Sequence, residues 1–328
     1  MNQMNIVVID GYTLHPGDLS WESIASLGQL TVYDRTPAEL IVQRCKDADI
    51  VLTNKVPLTA ATLEQLPRLK MIAVTATGYN IIDTETARAK NIVVCNVPAY
   101  GTASVAQHTF ALLLELTNRV GQHARSVSEG KWLHSEDWCF TEGPIIELEG
   151  KILGIIGYGN IGQRVGLIGQ AFGMKVIYYS PMIKPWTPDE PADLPTLFST
   201  SDVVTLHCPL TPTNHEFVNK DLLKLMKPTA FLLNTARGQL IQEQDLADAL
   251  NEGRLAGAAL DVLSKEPPVA TNPLLTARNC ILTPHNAWIS REARTRIMEV
   301  TTANVRAFLD GQPINKVTHS PSPSQPAR

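Results

Sequence analysis

The chain has 328 residues, 44% hydrophobic and 18% charged, with a formal net charge of −4. That length suits two ordinary domains, and the slightly acidic balance gives no electrostatic case for nucleic acid or an anionic membrane surface. The five cysteines (Cys45, Cys95, Cys139, Cys208, Cys280) are scattered without a C-x-x-C. Neither a zinc site nor a secreted disulfide framework is expected from them, and a reducing cytoplasm is.

The N-terminus enters Ile6-Val7-Val8-Ile9 without a basic leader, and no apolar run is long enough to span a bilayer. Strand patterns follow at Asn5 to Asp10, Leu30 to Tyr33, Ile50 to Thr53, Met71 to Thr75 and Ile92 to Cys95. Helical patterns lie between them at Leu19–Leu27, Pro37–Cys45, Thr59–Leu66 and Asp83–Lys90. Strands alternating with short helices predict a parallel, doubly wound sheet, in which ligands bind beyond the carboxyl ends of the strands. Two loops fall there, Asn54-Lys55 and Ala76-Thr77-Gly78-Tyr79-Asn80. The second can hold a carboxylate on free N–H groups, or be an ordinary turn whose Asn80 or Asp83 caps the next helix; spacing does not choose. Pro98-Ala99-Tyr100-Gly101 marks a domain crossing. The apolar helix from Ser104 to Arg119 carries His108, which reads more simply as a satisfied buried or interface residue than as a ligand. Residues 121–147 read as irregular, with Trp132, Trp138 and Phe140 forming either an interface arm or a cover for the local core.

The stretch Gly157-Tyr158-Gly159-Asn160-Ile161-Gly162 stands between the apolar run Ile152–Ile156 and the helical pattern Gln163–Phe172. Strand, glycine loop and helix together make the dinucleotide fingerprint, with Gly157 for the turn, Gly159 for close approach to a pyrophosphate and Gly162 for helix–strand packing. Met174 to Tyr179 is the next strand; it ends in Ser180, where a carboxylate would hold a ribose 2′-hydroxyl. Ser180 does not repel a 2′-phosphate and Lys184 is near enough to meet one, so NAD and NADP both remain open. Residues 181–196 are proline-rich and read as loop. Further strands at Asp202–Cys208, Ala230–Asn234, Ala256–Leu260 and Cys280–Thr283, with a helix at Gln242–Asn251, end in loops carrying Arg237, Asp261 and His285. With Glu266, these bring an anion clamp, a carboxylate and a proton donor to one sheet edge. No metal-ligating pattern appears.

These motifs occur in order: Thr77-Gly78-Tyr79-Asn80-Ile81-Ile82-Asp83, Ser104-Val105-Ala106-Gln107-His108-Thr109, the glycine loop, Asn234-Thr235-Ala236-Arg237-Gly238, Asp261-Val262 with Glu266-Pro267, and Thr283-Pro284-His285. From about residue 5 to 315 the chain resembles the D-isomer-specific 2-hydroxyacid dehydrogenases, in particular the glycerate dehydrogenase/hydroxypyruvate reductase branch. The resemblance implies an α/β protein of two doubly wound parallel-sheet domains. One is a Rossmann nucleotide domain at 101–288; the other is a discontinuous flavodoxin-like substrate domain at 1–100 plus 289–316, closed by a returning helix over Ser290–Leu309. Residues 317–328 are expected to be a disordered tail. The resemblance places the catalytic Arg, Glu and His on Arg237, Glu266 and His285. It implies cofactor contacts at Gly157, Gly159, Asn160, Ile161, Gly162 and Ser180, then at Cys208, Pro209 and Thr213. Thr235, Ala236, Arg237, Asp261 and His285 complete the cofactor set. Substrate contacts are implied at Asn54, Lys55, Ala76, Thr77, Gly78, Arg237 and Trp288.

The activity implied is NAD- or NADP-dependent reduction of a small 2-oxoacid, hydroxypyruvate or glyoxylate, to the D-2-hydroxyacid, and the reverse. It also implies a homodimer formed through the Ser104 helix and the arm to Phe140. Two departures stand out: Ser180 where the family usually has Asp, and Asn286 after the histidine, where an apolar residue or Gly is usual. A nucleotide-sensing, corepressor-like protein is the alternative from another class. Formate dehydrogenases carry Gln where this chain has Glu266, which disfavours that reaction.

Overall fold

Short, mostly apolar runs of two to five residues build two parallel sheets, seen in a computed structural model that describes residues 3–182 and 187–317. The first hundred residues run β1 (Asn5–Val8), α1 (Glu22–Ala25), β2 (Gln29–Val32), α2 (Ile41–Cys45), β3 (Ile50–Thr53), α3 (Ala60–Glu64), β4 (Met71–Val74), α4 (Thr84–Ala89) and β5 (Val93–Cys95). Next come α5 (Thr102–Asn118), α6 (Val120–Ser128), β6 (Ile152–Ile156), α7 (Asn160–Ala171), β7 (Lys175–Tyr179), β8 (Glu190–Pro191), α8 (Leu194–Thr200) and β9 (Val203–Leu206). The chain continues through α9 (Lys220–Leu223), β10 (Phe231–Asn234), α10 (Glu243–Asn251), β11 (Gly257–Leu260), β12 (Cys280–Leu282) and α11 (Arg291–Leu309). It divides into two units: Met1–Tyr100 with the chain from Ile289 onward, and Gly101–Trp288.

In the first unit the strand order is β2-β1-β3-β4-β5, all parallel. This is the flavodoxin-like order, with its switch point between β1 and β3. β3 and β4 are buried along their whole length, as strands covered on both faces must be. The returning helix α11 begins at Ser290, whose Oγ accepts from Ala293 N at 3.2 Å, and it packs on β4 and α1. Arg294 on this helix is buried, and its fork donates to Asp18 Oδ1 and Oδ2 at 2.7 and 2.6 Å. That bidentate hydrogen bond from Arg294 is the main reason the Asp18 carboxyl is held down to about 2. A depressed carboxylate stabilises the fold above its unfolded value near 4, and the contribution disappears as pH falls through the folded value. Asp18→Asn should therefore melt below the wild type at pH 6, with the difference shrinking towards pH 2 and vanishing below it, as thermal unfolding followed by circular dichroism would show.

In the second unit the order is β12-β11-β10-β9-β6-β7-β8, and every pairing is parallel. Successive residues alternate between two cores: Ile155, Val203 and Leu233 face the layer of α5 and α7, whereas Ile156, Val204 and Leu232 face Phe198, Leu246 and Leu250. Each such buried side chain contributes about 1.5–3 kcal/mol of apolar burial. The chain reverses its winding at β6, whose neighbours are β7 and β9, so the glycine loop sits at the switch point.

Two stretches read as irregular are ordered differently. Residues 120–128 form α6, because Arg119 takes a left-handed backbone (φ +53) that ends α5 and starts a new helix with Val120, Ala124 and Val127 on one face. The proline-rich loop carries the short edge strand β8 and the start of α8, where the Asp193 side chain accepts from Thr196 N and Pro195 occupies the first turn. Lys184 lies outside the described residues. So does the expected tail apart from Val317, whose N–H donates to Val94 O at 2.8 Å. Among the described residues, no helix is long and apolar enough to cross a membrane.

Candidate active site

Because every strand of the seven-stranded sheet is parallel, all their carboxyl ends share one edge. Gly157 follows β6 there with φ +93, and a Cβ on it would stand 2.4 Å from Cys208 N. A Cβ on Gly162 would meet Gly157 O at 2.2 Å, whereas one on Gly159 would meet nothing within 4 Å. Two glycines are thus required by the protein itself, and the third leaves open space beside the start of α7, which has no side-chain cap. This fits a pyrophosphate approaching the backbone and the free N–H groups of a helix start. The loop's Tyr158 stacks on Tyr178 at 4.2 Å and donates to Asp189, whose carboxyl is raised by burial. Ser180, half-buried, follows β7 on this same edge. The loop after β9 is tied by Asn214, which accepts from Thr211 N at 2.7 Å and donates to Pro209 O at 2.8 Å. Thr213 Oγ1 lies 3.1 Å from Thr211 Oγ1. Cys208 is half-buried, and burial pushes its thiol up to about 11.

The loop after β10 is pinned by the buried Asn234. Its amide accepts from Ala236 N at 2.9 Å and donates to Arg237 O at 2.8 Å. Thr235 Oγ1 is 3.1 Å from Thr109 Oγ1 of α5. Arg237 Nη1 rests on Ala236 O at 2.6 Å. The adjoining Gly238 lies against the loop that carries Glu266, since a Cβ there would be 1.9 Å from Leu263 C. That second loop is fixed by Glu243, which accepts from Ser264 N and Oγ at 2.7 and 2.8 Å, and by Glu266 Oε1, which accepts from Leu263 N at 3.0 Å. Gly238→Ala must therefore move the Arg237 loop or the Glu266 loop. We expect kcat/KM to fall about 10²-fold, since displacing positioned groups by about 1 Å costs on that order. Steady-state kinetics with cofactor titration would check it.

Glu266 Oε2 lies 2.6 Å from His285 Nδ1. With Nδ1 engaged, Nε2 is the ring nitrogen left open. His285 itself is left-handed (φ +53), a conformation costly for a residue with a Cβ. Asp261 holds it there: its carbonyl accepts from His285 N at 2.8 Å, and its buried carboxylate accepts from Asn286 N and Ala287 N at 2.9 Å each. Thr283 Oγ1 adds a third bond at 2.6 Å, and His108 Nε2 lies 3.5 Å from the same oxygen. Burial works against this carboxylate, but the bonds from His108, Thr283, Ala287 and Asn286 outweigh it and keep Asp261 below the ordinary range. Trp288 is buried, and the Ala287 carbonyl beside it accepts from Ser104 Oγ at 2.6 Å.

In the other unit, Asp10 at the end of β1 receives the backbone N–H groups of Asn54, Lys55 and Val56 at 2.9, 2.6 and 3.0 Å. Asn54 is buried and donates to Thr75 O at 2.8 Å, and Ala76 is also buried, whereas Lys55 and Thr77 are exposed. Thr77 is held by its hydroxyl on Val97 O at 2.8 Å, and the N–H groups of Thr77 and Gly78 have no acceptor among the described residues. Asp83, the competing assignment, does cap α4, its Oδ1 accepting from Thr86 N at 2.9 Å. Capping and open amides thus coexist in one loop.

A family described as "D-isomer specific 2-hydroxyacid dehydrogenase, NAD binding domain" matches residues 110–287. The chain is 50% identical over 320 residues to a hydroxypyruvate reductase of Blautia hydrogenotrophica, covering 96% of this chain and 99% of that one. The chain belongs to the D-isomer-specific 2-hydroxyacid dehydrogenase family. A glycerate dehydrogenase of Methylorubrum extorquens is 42% identical over 284 residues, covering 86% of this dehydrogenase and 89% of its relative. A solved NADPH-dependent glyoxylate/hydroxypyruvate reductase from Sinorhizobium meliloti, in complex with NADP and malonate, superposes with a TM-score of 0.82 at 26% identity, covering 97% of both chains.

The residues that hold the named ones carry little signal of that role in the sequence of this dehydrogenase. Asp10, Asn234 and Glu243 fix loops, and their only local signal is a polar residue at a strand end or helix start. His108, read as a satisfied helix residue, is indeed satisfied, but at the base of the His285 turn. His207 is neutral, because burial pushes its imidazole down to about 3, and its Nε2 lies 2.9 Å from Thr205 Oγ1.

Proposed function

We propose that this chain reduces a small 2-oxoacid, hydroxypyruvate or glyoxylate, to the D-2-hydroxyacid with NADH or NADPH, and runs the reverse reaction. The His285–Glu266 pair at 2.6 Å, on the same sheet edge as the glycine loop, carries the reading. The names of the hydroxypyruvate, glycerate and glyoxylate enzymes to which the chain is similar supply the substrate class. Gly101–Trp288 serves as the nucleotide domain, and residues 1–100 with 289–316 as the substrate domain.

The bound nicotinamide supplies hydride. His285 gives the proton to the substrate carbonyl oxygen from Nε2, while Glu266 orients the ring through Nδ1. Arg237 grips the substrate carboxylate and polarises the carbonyl beside it. The open amides at Thr77 and Gly78, with Asn54, Lys55 and Ala76, are the substrate contacts of the first unit, and Trp288 is one of the second. The glycine loop with Asn160 and Ile161, together with Ser180, Cys208, Pro209 and Thr213, binds the dinucleotide. Thr235, Ala236 and Asp261 complete that set. Ser180 leaves NADP acceptable as well as NAD.

The protein works as a cytoplasmic homodimer joined through α5 and the segment to Phe140. Exposed Leu133 and Trp138, each at 86%, and Val120 at 63% support that interface. Assays of hydroxypyruvate, glyoxylate, pyruvate and a phenyl-bearing oxoacid, each with NADH and NADPH, test the activity; no turnover of any of them overturns it. Light scattering tests assembly, and a stable monomer at micromolar concentration overturns the dimer.

A further inference from the structure

We propose that Asn286 is a ligand-binding residue whose side-chain oxygen accepts a hydrogen bond from an N–H or O–H donor on the bound cofactor or substrate. This rests on the dehydrogenase reading above. Asn286 Oδ1 is buried and has no partner among the described residues. The backbone gives it no freedom to escape, because Asn286 N and Ala287 N are both held on Asp261 at 2.9 Å. His285, one residue before, is locked by Asp261 O and Glu266. The residue that carries the orphan oxygen therefore adjoins the proposed proton donor in the chain, on a turn whose backbone is held. An unpaired buried amide oxygen carries a penalty equivalent to about five- to 150-fold in an equilibrium. An apolar side chain would fill this position without that penalty. A cost kept at such a place is the pattern expected where a ligand supplies the missing donor.

Six buried side-chain polar atoms are unpartnered among the described residues, and three of them, Arg119 Nε, Ser201 Oγ and Thr301 Oγ1, lie away from the strands' carboxyl ends. The other three lie just past the carboxyl end of a parallel strand: Asn54 Oδ1 after β3, His207 Nδ1 after β9 and Asn286 Oδ1 after β12. That is the edge at which open α/β sheets bind their ligands. Among the three, only Asn286 adjoins the histidine and has its backbone tied to the same carboxylate that holds the histidine turn.

Beside the reacting atoms, next to His285, two donors fit the proposal: the amide nitrogen of the nicotinamide carboxamide and the 3-hydroxyl of hydroxypyruvate. The experiment separates them. In the first arm, Kd for NADH and for reduced 3-acetylpyridine adenine dinucleotide, which lacks the amide N–H, is measured by fluorescence titration of wild type, Asn286→Ala and Asn286→Leu. In the second, kcat/KM is measured for hydroxypyruvate and pyruvate with the same three proteins. In one arm, the wild-type preference for the donor-bearing ligand is expected to shrink about tenfold in both variants. The arm that moves names the donor. The ligand-free variants should melt no lower than wild type, because the orphan oxygen contributes nothing to the free protein. Ratios that move by less than threefold in both arms overturn the proposal, as does failure of both variants to fold. A wild type that binds neither dinucleotide and reduces no oxoacid overturns the dehydrogenase reading instead.

Discussion

Replacing His285 is expected to lower kcat by about 10²–10⁴-fold, the usual worth of a positioned proton donor, with the Kd for NADH unchanged within about twofold. Alanine alone is an imperfect probe. His285 holds φ +53, where a residue with a Cβ is strained, so His285→Ala also disturbs the Asp261 turn. Asn tolerates the left-handed region far better and carries no titratable group, so His285→Asn keeps the turn and removes the proton. Both variants should lose turnover alike, and His285→Asn should melt close to wild type. Single-turnover reduction followed at the reduced-nicotinamide absorbance would report the chemical step directly. If His285→Asn retained near-normal turnover, another group would have to supply the proton.

Arg237→Lys is expected to raise KM for the oxoacid and to lower kcat, for a combined loss in kcat/KM on the order of 10²-fold. Lysine keeps the charge but presents a point donor where the guanidinium offers a planar fork to a carboxylate. A charge-assisted hydrogen bond is worth about 1.5–3 kcal/mol, or roughly 10–150-fold. The kcat component follows because a carboxylate gripped at one oxygen leaves the adjacent carbonyl out of line with His285. The Asn234 bonds to Ala236 N and Arg237 O do not involve the guanidinium, so the loop should keep its shape and NADH affinity should survive. Steady-state kinetics beside a fluorescence titration would separate the two effects. A change in KM alone, with kcat untouched, would make Arg237 a binding residue without a part in polarising the carbonyl.

The strands and the long helices were legible in the sequence because their signals are local. Buried strands read as unbroken apolar runs, as at Ile50–Thr53 and Met71–Val74. The helix at Thr102–Asn118 and the returning helix at Arg291–Leu309 announce themselves by apolar spacing. Short elements escaped: the two-residue strand Glu190–Pro191 has no period to detect. Residues 120–128 were hidden because the break before them is a single left-handed Arg119, a residue type that gives no warning of that conformation.

For the site, the sequence by itself determined the chemistry available. Glycine spacing, a strand before it and a helix after it specify a dinucleotide turn, since only glycine tolerates φ +93 at Gly157 and leaves open space at Gly159. Parallel strands also place the loops with Arg237, Asp261 and His285 on one edge without further information. Only the tertiary structure decided how those groups are held. His285 meets Glu266 across 19 positions, Asp10 meets Asn54 across 44, and His108 meets Thr283 across 175. Periodicity reports a residue's neighbours within a few positions, whereas a hydrogen bond between distant loops depends on the register of the sheet that carries both. Asp261 shows the difference most clearly. In sequence it is an acid at the end of a small apolar strand; in the fold its carboxylate binds Thr283, Asn286 and Ala287 and fixes the turn that presents His285.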